Sequence, residues 1–235
     1  MLQAKFKDDL EIEAGVDEVG RGCLWGPFMT GAVIWPPEDE WTEEVREISS
    51  KIRDSQKLSE KKRACLVSQI EACAIDFAFG EVSAQEIDDL GMTASNQLGF
   101  ARALKNLTVE PARVLVDGIL PLRTEDWSGE QHTIVDGDTK YIAIAAASIL
   151  AKQRRDTWVK EWCKANPDIA VTYGLESSKG YGTAVHRAAI QKGGPHSLHR
   201  RLFLRKILGD EIHHRKHSTQ SIQKLNTTSC LFKDD

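Results

Sequence analysis

The chain lacks the marks of several large protein classes. Its five cysteines (Cys23, Cys65, Cys73, Cys163 and Cys230) are an odd number with no C-x-x-C pair, which argues against a disulfide framework or a cysteine-held zinc. They read as small core hydrophobes in a reducing compartment. No apolar run approaches the roughly 18 residues of a membrane helix. The longest, Tyr141–Ala151, has 11 residues and is closed by Lys152 and Arg154. The opening MLQAKFKDDLEIEAG has no apolar h-region, so no secretory signal is expected and a cytoplasmic location is. Repeats, heptads and Gly/Ser linkers are absent from residues 10–205, and a monomer is expected. H-E-x-x-H is missing as well. His213, His214 and His217 lie in a segment polar on every side, which reads as solvated tail.

What is present is a globular composition. With 235 residues, 41% hydrophobic and 28% charged, the chain can bury a core of one or two domains without staples. The net charge of −4 is unevenly spread. Residues 1–130 carry 14 Lys and Arg against 25 Asp and Glu, whereas residues 131–235 carry 17 against 10. That asymmetry points to an anionic partner met mainly by the second half. An acidic first half also suits a metal-holding site or a solvated face.

Periodicity gives the elements. Ala14–Val16 reads as a strand ending at the glycine-rich DEVGRG turn, and Phe28–Trp35 as a second, antiparallel one stopped by Pro36-Pro37. Leu66, Val67, Ile70, Cys73 and Ala74 share one helical face behind an N-cap at Ser59. Ile75, Phe77 and Phe79 alternate as a strand does. Ser83-Ala-Gln-Glu86 has the form of a capping box, and Gly91 separates its helix from a second through Leu98, Ala101 and Leu104. Short strands are expected at Val114–Val116 and Thr133–Val135. A long helix follows over Tyr141–Lys164, and a shorter one over Ala184–Lys192. Antiparallel strands first and strand–helix alternation later predict an α/β fold, a mixed sheet flanked by helices.

The chemistry is suggested by where acids fall. Three strand-like segments finish on carboxylates: Asp17-Glu18, Asp117 and Asp138. A buried strand ending in Asp is costly unless the charge is paired or bound to a cation. Four such groups together suit Mg²⁺ or Mn²⁺. Two ions about 3.5–4 Å apart are a known device for in-line phosphodiester hydrolysis. Ordinary turn chemistry would also place Asp at strand ends. Asp136, two residues before Asp138, reads as such turn chemistry. Gly20-Arg21-Gly22 after the acidic pair would let a ligand approach the backbone closely.

Gly15-Val-Asp-Glu-Val-Gly-Arg-Gly22, with Gly26-Pro27 after it, resembles the opening motif of the bacterial ribonuclease HII family (type 2 ribonuclease H). Further blocks are similar and in the same order. They are Asp54-Ser-Gln-Lys-Leu-Ser59, Val116-Asp-Gly118, Gly137-Asp-Thr-Lys140, Ala145-Ala-Ala-Ser-Ile-Leu-Ala-Lys152, Lys179-Gly-Tyr-Gly-Thr183 and Gly194-Pro195 with His199-Arg-Arg-Leu-Phe203. The resemblance spans residues 11–205, taken as the catalytic domain; residues 206–235 are expected to be a polar, mobile tail. It implies a ribonuclease H-like, mixed five-stranded sheet with a C-terminal helical extension.

It also implies an endonuclease on RNA–DNA hybrids and on DNA containing ribonucleotides, with two Mn²⁺ or Mg²⁺ ions held by Asp17, Glu18, Asp117 and Asp138. The backbone of Gly20, Arg21 and Gly22 would read a 2′-hydroxyl, the group that tells RNA from DNA. Tyr181 would sense the RNA-to-DNA junction, and Lys57, Lys140 and Ser148 would lie near phosphates. Asp156 matches a recurrent position, read as a salt bridge on the long helix, and His199 and Arg200 are expected to brace the site or a phosphate.

Departures from the family pattern are Val19, Cys23, Trp25, Gln56, Tyr141 and Ile142. None removes a metal ligand, so a non-catalytic relative is disfavoured. Trp25 is read as packing, with an altered cleft as the alternative. Ribonuclease HIII normally carries an extra N-terminal domain, for which the 13 or so residues before the first strand leave no room. Thr228-Ser-Cys-Leu-Phe232 faintly resembles the short Leu-Phe peptides that dock on sliding clamps.

Overall fold

Small residues decide how closely the sheet and its helices meet. The computed structural model describes residues 1–53, 59–123 and 127–209. Strands β1 (Glu13–Val19) and β2 (Phe28–Ile34) form the expected antiparallel pair, with Asp17 opposite Gly31. Helices α1 (Glu43–Lys51) and α2 (Glu60–Cys73) lead to β3 (Asp76–Val82), which pairs antiparallel with β2. Helices α3 (Ala84–Leu90) and α4 (Met92–Lys105) precede β4 (Arg113–Asp117), which is parallel to β1, and β5 (Glu130–Ile134), which is parallel to β4. The sheet order is β3-β2-β1-β4-β5. The long α5 (Ile142–Ala165) then crosses the sheet. It is followed by α6 (Pro167–Tyr173), α7 (Leu175–Ser178), α8 (Ala184–Gly193) and α9 (Arg201–Leu208). No helix among the described residues is long and apolar enough to cross a membrane.

The local signals work through identifiable hydrogen bonds. Ser59 accepts from the Lys62 amide to start α2, and Ser83 with Glu86 completes the capping box of α3. Gly91, at φ +79°, turns the chain between α3 and α4. Two strand boundaries differ from expectation. β1 runs on through Asp17 and Glu18 to Val19, so both acids stand inside a strand and point to opposite faces. β5 begins at Glu130, not Thr133, because the parallel register sets Glu130 beside Arg113, whose Nε lies 2.9 Å from its carboxylate.

On one face α5 meets β1 and β2 at backbone distance. A Cβ on Gly15 would lie 2.4 Å from the Ala143 carbonyl carbon and the Ile144 nitrogen, and one on Gly31 would lie 2.6 Å from the Ala147 oxygen. On the other face α4 approaches through Gly80 and Gly99, and Thr30 Oγ1 donates to the Gly99 carbonyl at 2.7 Å. Gly15→Ala is therefore expected to push α5 off the sheet and destabilise by roughly 3 kcal/mol, the scale of core overpacking. Urea unfolding at constant m measures it, and a midpoint equal to wild type would contradict the close approach.

A third apolar cluster joins Leu24 and Trp25 to α5 through α9. Trp25 is fully buried, its ring 4.7 Å from Trp162 and 5.4 Å from Trp158, so it packs the base of this cluster. Asp156 is also structural. It is buried between Arg63 at 2.8 Å and Lys152 at 2.7 Å.

Candidate active site

Residues 15 and 17 of β1 face α5, and residues 14, 16 and 18 face α4, because side chains alternate along a strand. Asp17 thus points under α5, where the Ser148 hydroxyl hydrogen-bonds it, and its Oδ1 accepts the Glu18 amide at 2.6 Å. Glu18 points towards α4, where Asn96 faces it, and lies 3.4 Å from the half-exposed guanidinium of Arg21. Asp117 ends β4 on the α5 side, beside Asp17. Its Oδ1 accepts the Gly137 amide at 2.7 Å, and the Asp138 amide donates to the same carboxylate. Asp117 therefore bonds the start of the 3₁₀ turn Gly137–Thr139 and brings Asp138 alongside. Asp138 lies in this turn, not at the end of β5. Asp136, at φ +53°, starts the turn and accepts from Thr139, as turn chemistry predicts.

Three of these carboxyls hold protons more tightly than usual. Burial pushes Asp17 well above the ordinary aspartate value, Ser148 offsets part of this, and Asp117 and Glu18 add to it. Burial raises Glu18 too, with Asp117 adding and Arg21 and Asn96 opposing. Asp117 is raised by burial and by Asp136, against three backbone amides. Each acid is held by its own local partner. Among the described residues, no three His, Cys, Asp or Glu side chains are gathered closely enough to enclose one ion. The donor chemistry nevertheless fits a divalent cation. Asp17, Glu18 and Asp117 are hard oxygen donors, crowded and poorly solvated, and bound positive charge would relieve all three shifts.

The glycines of the following loop serve different ends. At Gly20, φ is +81° and a Cβ would strike Arg155 Nε at 2.3 Å, so the interior demands glycine there. At Gly22 a Cβ would meet nothing within 4 Å, so this side of the loop is open to an approaching ligand. Arg200 Nη1 donates to the carbonyls of Gly20 at 2.7 Å and Arg21 at 3.1 Å, so it braces the loop from below. Tyr181 is 40% exposed beside this loop, since Leu24 N donates to the Gly180 carbonyl at 2.9 Å. Its phenol is pushed up to about 12, mainly by burial.

Behind Tyr181 lies a closed histidine chain. His186 Nδ1 donates to the Tyr181 carbonyl at 2.9 Å, which leaves its Nε2 to accept from His199 Nε2 at 2.9 Å. His199 Nδ1 in turn accepts the His196 amide at 2.8 Å. Burial lowers both rings, His199 to about 4, and so keeps the chain neutral. His199 thus braces the Tyr181 turn.

Other expected residues are placed differently. Ser148, expected near phosphates, is buried and serves Asp17. Lys140 is exposed, its Nζ donating to the Val135 carbonyl at 2.6 Å. Lys57 and the tail that carries Thr228–Phe232 lie outside the described residues. Asn96 was missed. Its one signal is a polar side chain among Phe100, Ala103 and Leu104 on the buried face of α4.

A mixed sheet in this order, with acids on the adjoining ends of β1 and β4 and a long helix laid across it, defines a ribonuclease H-like, metal-dependent nuclease. The family model described as ribonuclease HII matches residues 14–206, and the chain belongs to that family. It is 48% identical over 196 residues to a ribonuclease HII of Synechococcus sp. (strain CC9902), covering 83% of this chain and 94% of that one. Among solved structures it is similar to the ribonuclease H2 of Pyrococcus horikoshii OT3. The TM-score is 0.66 and the identity 26%, over 88% of this chain and 99% of that one. The structure of the PCNA:RNase HII complex from Archaeoglobus fulgidus also matches, with TM-score 0.63 and 25% identity over 80% and 91% of the two chains.

Proposed function

We propose that this enzyme hydrolyses the RNA strand of RNA–DNA hybrids and cuts 5′ of single ribonucleotides embedded in duplex DNA, leaving 3′-hydroxyl and 5′-phosphate ends. The carrying observation is that three carboxyls with raised proton affinity, on adjoining strand ends, adjoin a loop whose Gly22 faces open space. Asp17, Glu18, Asp117 and Asp138 would hold two Mg²⁺ or Mn²⁺ ions, whose Lewis acidity supplies activated water and offsets charge on the leaving oxygen. Ser148 orients Asp17 and favours its ionised form in part, and the bound ions would complete the ionisation. The amides of the Gly20–Gly22 loop donate to the 2′-hydroxyl of the ribonucleotide. Tyr181 lies against the sugar on the other side of the junction, where a deoxyribose fits and a ribose crowds. Lys140, released from Val135, meets a backbone phosphate as a point charge, the role also assigned to Lys57.

A labelled DNA duplex with one ribonucleotide, incubated with Mg²⁺, Mn²⁺ or EDTA, tests this. Cutting immediately 5′ of the ribonucleotide, abolished by EDTA, is expected. Cutting of a long hybrid alone would remove the single-ribonucleotide specificity, and no cutting of either would leave a binding protein.

The solved complex of a relative with PCNA supports a second element, docking of the C-terminal segment Thr228–Phe232 on a sliding clamp. Deleting residues 225–235 should abolish clamp binding and leave hydrolysis intact. Unchanged clamp binding would end that assignment.

A further inference from the structure

Two guanidinium groups without a carboxylate in ion-pair contact among the described residues lie beneath the Gly20–Gly22 loop. Arg155, from α5, and Arg200, from the start of α9, are both fully buried. An unpaired buried charge is expensive, and a well-packed apolar side chain of similar volume would cost the fold less. Burial lowers the Arg200 guanidinium to about 10, and its Nη2 is buried with no hydrogen-bond partner. Stability does not explain this pair.

What they contact does. Arg155 donates from Nε to the Pro27 carbonyl at 3.1 Å, from Nη2 to that of Trp25 at 3.2 Å, and from Nη1 to that of Lys179 at 2.8 Å. Arg200 donates from Nε to Gly26 at 2.9 Å and from Nη1 to Gly20 and Arg21. Five of these six carbonyls belong to the Gly20–Pro27 segment, and the sixth to the residue opening the Lys179–Tyr181 turn. The two segments are also tied by Leu24 N to Gly180 O, and α9 is tied to the loop by Arg200 N to Leu24 O at 2.8 Å. The fit leaves little slack, since a Cβ on Gly20 would overlap Arg155 Nε and one on Gly180 would lie 2.6 Å from the Trp25 oxygen.

This clamp has a directional consequence. In a trans peptide the N–H points opposite to the C=O. With the Gly20 and Arg21 carbonyls drawn inward to Arg200, the amides of Arg21 and Gly22 are turned away from it, on the side where Gly22 faces open space. Two donors are thereby held outward on a loop that is tied to the Tyr181 turn.

We propose that Arg155 and Arg200 are positioning residues that set sugar specificity. By fixing the peptide planes of Gly20–Gly22 against the Tyr181 turn, they make the enzyme prefer a ribonucleotide followed by a deoxyribonucleotide to a run of ribonucleotides. This rests on the reading of the loop and Tyr181 as sugar readers. Neither arginine touches substrate; both act through the backbone they hold.

The test uses the full chain and two substrates, a duplex with one embedded ribonucleotide and a duplex with a long RNA strand, assayed side by side. Arg200→Lys keeps the charge but replaces the planar fork with a compact ammonium that cannot hold the three carbonyls at their present spacing, and Arg155→Lys does the same from the α5 side. Each is expected to lower the ratio of kcat/KM between the two substrates about tenfold, mainly through kcat on the single ribonucleotide, because small misplacements of a reading group are costly. The Mn²⁺ concentration for half-maximal rate on the long hybrid should stay within about twofold of wild type, since the carboxylates are not touched. The ratio is independent of how much protein is folded, so a merely structural role would lower both rates together and leave it unchanged. An unchanged ratio in either variant that still cuts would overturn the proposal. Wild-type enzyme that cuts both substrates with no preference would overturn the reading of the sugar-sensing loop on which it rests.

Discussion

Asp17→Asn is expected to reduce kcat by roughly 10³-fold or more, the several kcal/mol that ion-assisted hydrolysis contributes, while making the metal-free protein harder to unfold. The two effects have one origin. Asp17 is buried, crowded by Asp117 and Glu18, and raised well above the ordinary aspartate value of 3.8. Between 3.8 and the raised value the folded state binds the extra proton, so Asp17 subtracts stability as pH rises through that window and most of all above it. Asn carries no charge, and its Oδ1 still accepts the Glu18 amide. Urea midpoints in EDTA at pH 5 and pH 8 should show the variant above wild type, with the gap widening at pH 8. Mn²⁺ should raise the wild-type midpoint by mass action and move the variant far less. Full activity in Asp17→Asn would remove Asp17 from the catalytic set. A wild-type midpoint indifferent to Mn²⁺ would remove the metal site itself. Asp138→Asn, at the solvent edge of the 3₁₀ turn, should lose activity with less gain in stability, because Asp138 is less buried than Asp17.

The acids were legible because buried carboxylates on apolar strands conflict with local propensity, and the eye finds conflict easily. Ser59, Ser83 and Gly91 were legible for a related reason, since caps and breaks act within three or four residues of themselves. The parts that hold the Gly20–Gly22 loop act over long distances. Arg200 reaches Gly20 across 180 positions and Arg155 reaches Trp25 across 130. Both bond carbonyls, which every residue carries, so no partner type marks the pairing. In a chain with 31 Lys and Arg, Arg155 reads as one more surface cation, and Arg200 reads as a brace for the site or a phosphate whose partner nothing in the sequence marks. Gly20 shows the same limit. The sequence suggests a ligand as the reason for that glycine, whereas the nearest reason is Arg155 beneath it. Ser148 reads as a phosphate contact in the AAASILAK block until α5 is laid over β1 and turns it to Asp17. Edge strand β5, EQHTI, alternates poorly because its register is fixed by an ion pair with Arg113.

That ion pair belongs to the second large effect. Arg113→Met is expected to destabilise the protein by about 4 kcal/mol, the scale for breaking a buried charge cluster by removing one partner. Arg113 is 2% exposed and bonds three carboxylates: Asp9 at 2.7 Å, Glu130 at 2.9 Å and the buried Glu13. Glu13 would remain in the interior, its charge held only by the amides of Phe6 at 2.7 Å and Lys7 at 3.1 Å. The cluster ties the N-terminal segment to β1, β4 and β5. The same segment reaches the turn that carries Asp138, where Gln3 N donates to Lys140 O at 2.8 Å and Ile142 N donates to Gln3 O at 2.9 Å, opening α5. The acid response carries the signature. Asp9 and Glu130 are both lowered to about 2, chiefly by Arg113 for Asp9 and by Lys7, His132 and Arg113 for Glu130. Lowered carboxylates lend stability that is complete above their ordinary values near 4 and is lost as pH falls towards 2. Wild type should therefore lose stability over that window, and Arg113→Met should lose less from its lower starting point. Adding Glu13→Gln to Arg113→Met should restore much of the loss at pH 7, because the unpaired buried charge is the main cost. Urea unfolding of the three proteins at pH 7 decides it. A single variant within 1 kcal/mol of wild type, or a double variant no better than the single, would show that the N-terminal segment is held by its apolar contacts at Phe6 and not by this charge cluster.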